Sequence, residues 1–128
     1  MTSFISAVTL VVPDYDEAIF FYVGSLGFKL LEDVKLGEKK RWVKVAPPGA
    51  QTAILLAQAD GDAQSAAIGH QTGGRVSFFL QTDDFDESYK RFAVNGVRFL
   101  EEPRSEAYGT VVVFSDPFGN LWDLIEVK

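Results

Sequence analysis

One carboxylate stands in the middle of an apolar run near the end of the chain. The segment "SDPFGNLWDL" spans residues 115–124, and its turn residues are followed by Leu121, Trp122, Asp123 and Leu124. A charge inside an apolar strand is costly unless something pairs with it. Three uses of Asp123 follow: it holds a metal ion, it binds a ligand, or it lies near the strand end and pairs with Arg75, Arg41 or Lys44.

Other polar residues are typical of structural roles. Asp14 and Asp84 each precede a helical pattern and have Glu three residues later, which predicts helix caps rather than a calcium site. The single histidine, His70, falls in a small, polar segment and is expected to face solvent.

Composition excludes several classes of function. The formal net charge is −6, which argues against nucleic acid as a partner, because phosphate binding needs a basic face. The chain has no cysteine, so it has no disulfide and no thiolate chemistry, which fits a cytoplasmic protein. No apolar run is long enough to cross a membrane, so no membrane partner is expected.

The chain repeats itself. "VTLVVPDYDEA" (8–18) matches "FFLQTDDFDES" (78–88) at a shift of 70, and "GFKLLED" (27–33) matches "GVRFLEE" (96–102) at a shift of 69. Each half reads as β-α-β-β-β, and Gly27 and Gly96 are the expected helix stops. The expected strands are about 4–12, 28–34, 41–46 and 53–58, then about 75–82, 97–101, 110–115 and 121–127.

The expected organisation is a single domain over residues 1–128. Module one covers about 1–58, a mobile linker covers about 59–74, and module two covers about 75–128. One helix cannot cover both faces of a four-stranded sheet, so the second face must be buried or must line a cavity.

Strand parity assigns side chains to the two faces. Val76, Phe78 and Leu80 are expected to meet the helix, which leaves Ser77, Phe79 and Gln81 on the opposite face. That face is more polar than a core, as the wall of a ligand cavity is.

The module order, the helix start "VTLVVPDYDEAIFFYVGSLGF" and the closing segment "FSDPFGNLWDLIE" together resemble the vicinal oxygen chelate superfamily. This group includes glyoxalase I, extradiol dioxygenases, fosfomycin resistance proteins and bleomycin resistance proteins. The resemblance implies a glyoxalase-like α+β fold, in which two tandem β-α-β-β-β modules form an open, curled mixed β-sheet barrel around a pocket. It also implies a homodimer.

The metal enzymes of this family carry a ligand on the first and last strand of each module. The matching positions here are Ala7, Ile54, Ser77 and Asp123, with Ile54 assigned to within one residue. Alanine and isoleucine donate nothing to a metal, and a serine hydroxyl is a poor neutral ligand. We therefore expect no metal and no cofactor, and metal-dependent glyoxalase or dioxygenase chemistry is not the expected activity.

The expected ligand-binding residues lie on the cavity face. Parity places Asp123 there, opposite Trp122 and Leu124, and Trp42 could stack on a flat ligand. Tyr108 matches a family loop that often closes over the pocket. The full set is Asp123, Gln81, Phe79, Ser77, Trp42, Lys44, Thr9 and Tyr108.

Three functions remain open at this stage. The first is a metal-free, bleomycin-resistance-like protein that binds a small aromatic or cationic molecule for sequestration or resistance. The second is a lyase or isomerase of the same fold, with a non-standard metal site or metal-free proton transfer by Asp123. The third is a non-catalytic interaction module whose pocket is filled by its own side chains.

Overall fold

A computed structural model describes all 128 residues, Met1–Lys128, as two compact units. The first unit is Met1–Ile68 and the second is Gly69–Lys128. Each contains one β-α-β-β-β module, so the α+β glyoxalase-like fold is confirmed. That the two units form one domain stays a prediction. The chain contains no helix long and apolar enough to traverse a lipid bilayer.

The first unit is a four-stranded sheet in the order β1-β4-β3-β2, with a helical segment on one face. Strands β1 and β4 are parallel, and the other two pairs are antiparallel. Its elements are β1 (Ala7–Val12), α1 (Tyr15–Ile19), a π-helical turn (Phe20–Ser25), β2 (Lys29–Lys35), β3 (Arg41–Ala46), β4 (Ala53–Gln58) and α2 (Asp62–Ala67).

The predicted helix caps are present in both units. Asp14 accepts a hydrogen bond from the backbone N–H of Glu17 at 2.9 Å, and Asp84 accepts one from Glu87 at 3.2 Å. Each cap satisfies one of the donors that a helix start leaves without a partner. The helix stop at Gly27 has φ +78°, a conformation that glycine adopts without strain.

The second unit is a five-stranded sheet in the order β5-β9-β8-β6, with β7 also pairing with β8. Its elements are β5 (Val76–Gln81), α3 (Phe85–Val94), β6 (Arg98–Phe99), β7 (Arg104–Glu106), β8 (Gly109–Ser115) and β9 (Leu121–Val127). The strand expected at about 97–101 is shorter than predicted, and β7 was not predicted. Both short strands lie along the same edge of β8.

The core of each unit lies between its sheet and its helix. Side chains that alternate along the strands are fully buried on this face, as strand parity predicts. They include Leu10, Val43, Val45 and Leu56 in the first unit, and Val112, Phe114 and Leu124 in the second.

The predicted linker contains a short helix and makes specific contacts. Residues Asp62–Ala67 form α2, and the segment after it belongs to the second unit. Gly69 packs so closely that a β-carbon there would lie 2.0 Å from the carbonyl oxygen of Phe118. Thr72 then donates from its hydroxyl to the carbonyl of Arg75 at 2.8 Å. These contacts place the second half of the segment against the turn before β9, and the mobility of the segment stays a prediction.

Candidate functional site

Asp123 is positioned by the turn that precedes β9. Asp116 is buried, and its carboxylate accepts hydrogen bonds from the backbone N–H groups of Phe118 and Asn120 and from the side-chain amide of Asn120, at 2.7–2.9 Å. This turn sets the register in which Trp122 and Leu124 are buried. Asp123 therefore points to the opposite face of the sheet, as parity predicted.

The Asp123 carboxylate has no internal partner. Its Oδ1 atom is buried and makes no hydrogen bond, and the residue forms no ion pair. Burial raises the pKa of this carboxyl, a nearby Arg104 acts to lower it, and Glu101 acts to raise it. Arg75, the predicted partner within the same unit, is not ion-paired with Asp123.

Arg104 is hydrogen-bonded to Glu101 and Glu106 rather than to Asp123. Its Nε donates to both oxygens of Glu101 at 2.9 and 3.0 Å, and its Nη1 donates to Glu106 at 2.7 Å. These hydrogen bonds, with one to Tyr108, raise the pKa of Arg104 above its ordinary value. We define the Arg104 cluster as Glu101, Arg104, Glu106 and Tyr108. Arg104 is hydrogen-bonded mainly to the other residues of this cluster.

A cavity of about 420 Å³ lies beside Asp123 in the second unit. It is lined by Arg75, Val76, Phe79 and Asp123. Phe79 and Asp123 are paired residues of the parallel strands β5 and β9, and the Phe79 side chain is 68% exposed. An aromatic surface and an unpaired carboxylate therefore share one wall.

A β-bulge in β5 determines that Val76 also lines the cavity. The pairing of β5 with β9 shifts between Val76 and Phe78, so that Val76 pairs with Leu121 on the cavity face. The expectation that Val76 meets the helix was wrong for this reason. Ser77, the inserted residue, is half-buried, and its hydroxyl lies 3.0 Å from that of Thr72.

Two other predicted residues of the second unit lie outside this cavity lining. Gln81 lines a separate cavity of about 480 Å³, with Thr82, Asp83, Glu126 and Val127. Tyr108 is half-exposed and belongs to the Arg104 cluster. Their roles in ligand binding stay predictions.

The predicted residues of the first unit share the face of the sheet opposite its helix. Thr9 pairs with Leu55, Leu55 pairs with Lys44, and Lys44 pairs with Glu32 across the four strands. Lys44 forms an ion pair with Glu32 at 3.3 Å. The Trp42 side chain is 38% exposed and could present a stacking surface. A ligand role for Thr9, Trp42 and Lys44 also stays a prediction.

Comparison with known proteins identifies the family. The model of the Glyoxalase/Bleomycin resistance protein/Dioxygenase superfamily matches residues 4–124. The chain belongs to this superfamily. An uncharacterized protein of Shewanella frigidimarina (strain NCIMB 400) is 50% identical over 123 residues, covering 94% of this chain and 91% of the relative.

Two solved structures are similar to this chain over nearly its whole length. UcmS2 has a TM-score of 0.84 and 29% identity, with 98% of each chain covered. TnmS3, described as an antibiotic binding protein from Streptomyces sp. CB03234, has a TM-score of 0.80 and 31% identity, with 99% of this chain and 98% of that chain covered.

The strand register corrects one of the metal positions inferred from the superfamily. Ile54 pairs with Val8 and Val45 and is buried on the helix side, so the assignment of Ile54 was one residue off. Leu55, which pairs with Thr9, occupies the place that Asp123 has in the second unit.

With Leu55 in place of Ile54, the residues at the four positions do not fit a metal ion. Leu55 and Ala7 supply no donor atom, and the Ser77 hydroxyl lies beside Thr72. No group of three or more His, Cys, Asp or Glu side chains is arranged to hold a metal. His70 is exposed.

Sequence reasoning missed two residues that line the Asp123 cavity. Arg75 had been considered only as an ion-pair partner, although it directly precedes β5 and could have been placed at the rim from that position. Val76 could not have been found, because no residue in "GGRVSFF" (73–79) marks the bulge that turns it.

Proposed function

We propose that this protein binds a small organic molecule with a flat apolar body and a hydrogen-bond donor or positive charge, and that it sequesters this molecule. The observation that carries the proposal is the buried, unpaired Oδ1 of Asp123 beside the exposed ring of Phe79. A buried acceptor without a partner is destabilising, and a ligand donor would relieve that cost.

The size and lining of the cavity support this class of ligand. Pockets for small molecules are typically of about 300–1,000 Å³, with few polar groups among apolar ones. The Phe79 ring offers a face on which an aromatic ligand can stack, and a ligand cation would also meet the favourable field of the carboxylate. The description of TnmS3 as an antibiotic binding protein supports the same kind of function.

Binding without a metal is part of this proposal. The four positions support it, since the first unit offers no donor atom at them and the second offers only one carboxylate and one neutral hydroxyl. Elemental analysis of protein purified without chelators is expected to show transition metal far below one equivalent per chain. A stoichiometric metal that is lost in Asp123→Ala would contradict it.

Ligand binding is tested by native mass spectrometry and by a screen of aromatic amines. Phe79→Ala and Asp123→Asn are each expected to weaken binding by about tenfold or more. Phe20→Ala is the matched control, because Phe20 is 77% exposed in the first unit and tests for nonspecific apolar binding. Equal loss in Phe20→Ala and Phe79→Ala, or unchanged binding by Asp123→Asn, would contradict the proposed site.

A metal-free proton-transfer enzyme is the second candidate function. Burial raises the pKa of Asp123, and a carboxyl whose pKa moves toward neutrality is better suited to general acid–base catalysis. Recovery of a bound ligand unchanged after long incubation would favour sequestration. A chemically altered ligand, formed by the wild type and not by Asp123→Asn, would favour catalysis.

We also propose a homodimer. Strand β2 lies at the edge of the first sheet, and all seven of its residues are exposed. Val34 on β2 pairs with Trp42 on β3, so exposed apolar side chains lie side by side next to an open edge. Such an edge is commonly covered by another chain. Sedimentation equilibrium is expected to give twice the chain mass. The substitution Val34→Lys is expected to lower the measured mass toward that of a single chain.

A further inference from the structure

We infer that the ligand carries two poles, a donor or cation that meets Asp123 and an acidic or anionic group that meets Arg75. This inference rests on the proposed function, because it names the chemistry of the molecule bound in the same cavity. It is carried by Arg75, which lines that cavity together with Asp123.

Arg75 and Asp123 share the cavity without pairing. Opposite charges in a partly enclosed space attract strongly when water is displaced. Even so, no ion pair joins these two side chains, and Arg75 forms none with any other carboxylate. The cavity is therefore lined by one cationic and one anionic residue, and neither has an ion-pair partner.

The backbone holds Arg75 at the cavity. Thr72 donates its hydroxyl to the Arg75 carbonyl at 2.8 Å, and the same hydroxyl lies 3.0 Å from Ser77 on β5. The start of the segment is fixed by the close packing of Gly69 against Phe118. These contacts therefore position the backbone of Arg75. Its side chain forms no ion pair.

The nearby Arg104 does not take the place of Arg75. Its Nε and Nη1 donors are occupied by Glu101 and Glu106. An acidic ligand group would therefore find Arg75, whose planar fork of donors suits a carboxylate, phenolate or similar anion.

Apart from the two charged residues, the cavity lining is apolar. Val76 and Phe79 are the remaining lining residues. The bulge in β5 brings Val76 onto this face, and Ser77 is not among the lining residues, so the lining beside the charged groups is apolar. A flat ring with an ammonium at one end and an acid at the other matches this order of groups.

Three aromatic probes separate the contributions of the two poles. Benzylamine carries only the ammonium, benzoate carries only the acid, and 4-(aminomethyl)benzoate carries both. Affinities are measured by calorimetry at constant low ionic strength, and amide chemical shifts of Phe79 and Asp123 report whether each probe binds in the cavity. The two-pole probe is expected to bind about tenfold tighter than either single-pole probe.

Variants then assign each pole. Arg75→Gln is expected to reduce the affinity for 4-(aminomethyl)benzoate to that for benzylamine, and Asp123→Asn is expected to reduce it to that for benzoate. Arg98→Gln is the control, because Arg98 is an exposed arginine of the same unit that also lacks an ion pair. Both test substitutions are at half-buried or exposed positions, and circular dichroism verifies the fold.

The possible failures are distinguishable. Equal binding of benzylamine and the two-pole probe, unaffected by Arg75→Gln, overturns the two-pole inference and leaves the Asp123 site intact. If no probe shifts the amides of Phe79 and Asp123, both this inference and the proposed function are overturned.

Discussion

Phe79 and Asp123 are paired residues on the neighbouring parallel strands β5 and β9, and both line the same cavity. The pairing places an exposed aromatic ring beside a carboxylate that has a buried, unpaired oxygen. An arrangement of this kind weakens the fold locally and is typical of residues kept for binding. The first prediction tests that cost directly.

Asp123→Asn is expected to stabilise the protein near pH 7 by up to about 1 kcal/mol, because it removes a charge from a site without a partner. Burial raises the pKa of Asp123 in the folded state, so the folded chain binds this proton more tightly than the unfolded chain does. The contribution to stability is therefore full below the ordinary carboxyl pKa and is lost as pH rises through the raised value.

Urea unfolding near pH 7 and at about pH 3 checks this sign. The gain from Asp123→Asn should be present at the higher pH and should vanish at the lower one. Asp83→Asn, an exposed carboxylate outside the cavity, is the control and should change neither value. Lower stability of Asp123→Asn near pH 7 would mean that the carboxylate has a stabilising partner.

Gly69→Ala is expected to destabilise the protein by about 2–5 kcal/mol, measured by chemical denaturation. Gly69 has φ +71°, and an added β-carbon would lie 2.0 Å from the Phe118 carbonyl oxygen. The left-handed conformation costs about 1–2 kcal/mol for alanine, and the clash adds a further cost of about 1–3 kcal/mol.

Gly73→Ala isolates the clash from the backbone strain. Gly73 has a nearly equal φ of +68°, but a β-carbon there would meet nothing within 4 Å. The difference between the two variants measures the packing of the linker against the turn before β9. Equal losses of stability would show that Gly69 does not pack against Phe118 in solution.

Arg41→Met is expected to destabilise the protein by about 1 kcal/mol near pH 7. Arg41 donates to Asp33 at 2.7 and 3.1 Å and to Asp16 at 2.9 Å, and it lies over the Tyr15 ring at 5.1 Å. The hydrogen bond from Arg41 lowers the pKa of Asp33. This stability is present above the ordinary carboxyl pKa and is lost as pH falls through the lowered value.

Thermal melts of wild type and Arg41→Met across acidic pH therefore should converge as Asp33 becomes protonated. High salt should narrow the gap only in part, because the cation–π contact with Tyr15 includes packing of the side chain. Arg98→Met is the control and should show no gap that depends on pH. A constant gap at every pH would exclude the carboxylates as the source of the effect.

Asp116→Ala is expected to lower the free energy of unfolding by about 2–4 kcal/mol. This is the largest loss of stability expected among the carboxylate variants. The Asp116 side chain accepts three hydrogen bonds inside a buried turn, and its removal leaves the buried N–H of Asn120 without that acceptor. Asp84→Ala, which loses one helix cap, should cost about 1 kcal/mol. Equal losses of unfolding free energy in the two variants would show that the hydrogen bonds of Asp116 stabilise the protein no more than the helix cap of Asp84 does.

Several parts of the fold could be predicted from the sequence because they depend on local patterns. The strands Arg41–Ala46 and Ala53–Gln58 begin and end as predicted, since alternating apolar residues and turn residues bound them. Asp14 and Asp84 cap helices as predicted, because a cap depends on residues within one turn. The side of β9 on which Asp123 lies follows from strand parity alone.

The internal repeat allowed more of the fold to be predicted than local patterns alone did. It gave the β-α-β-β-β order of both halves, and with two motifs it indicated the superfamily. The repeat could not give strand lengths in the second half, where β6 has two residues and β7 is added along β8.

The sequence by itself determined the order of the elements, the face of each regular strand and the presence of a lone carboxylate on β9. Only the tertiary structure decided which residues meet that carboxylate. The bulge that turns Val76, the packing of Gly69 that orders the segment before Arg75, and the carboxylates that hold Arg104 all depend on contacts between residues distant along the chain. Periodicity reports only the local environment of a residue, so it could not foresee these contacts.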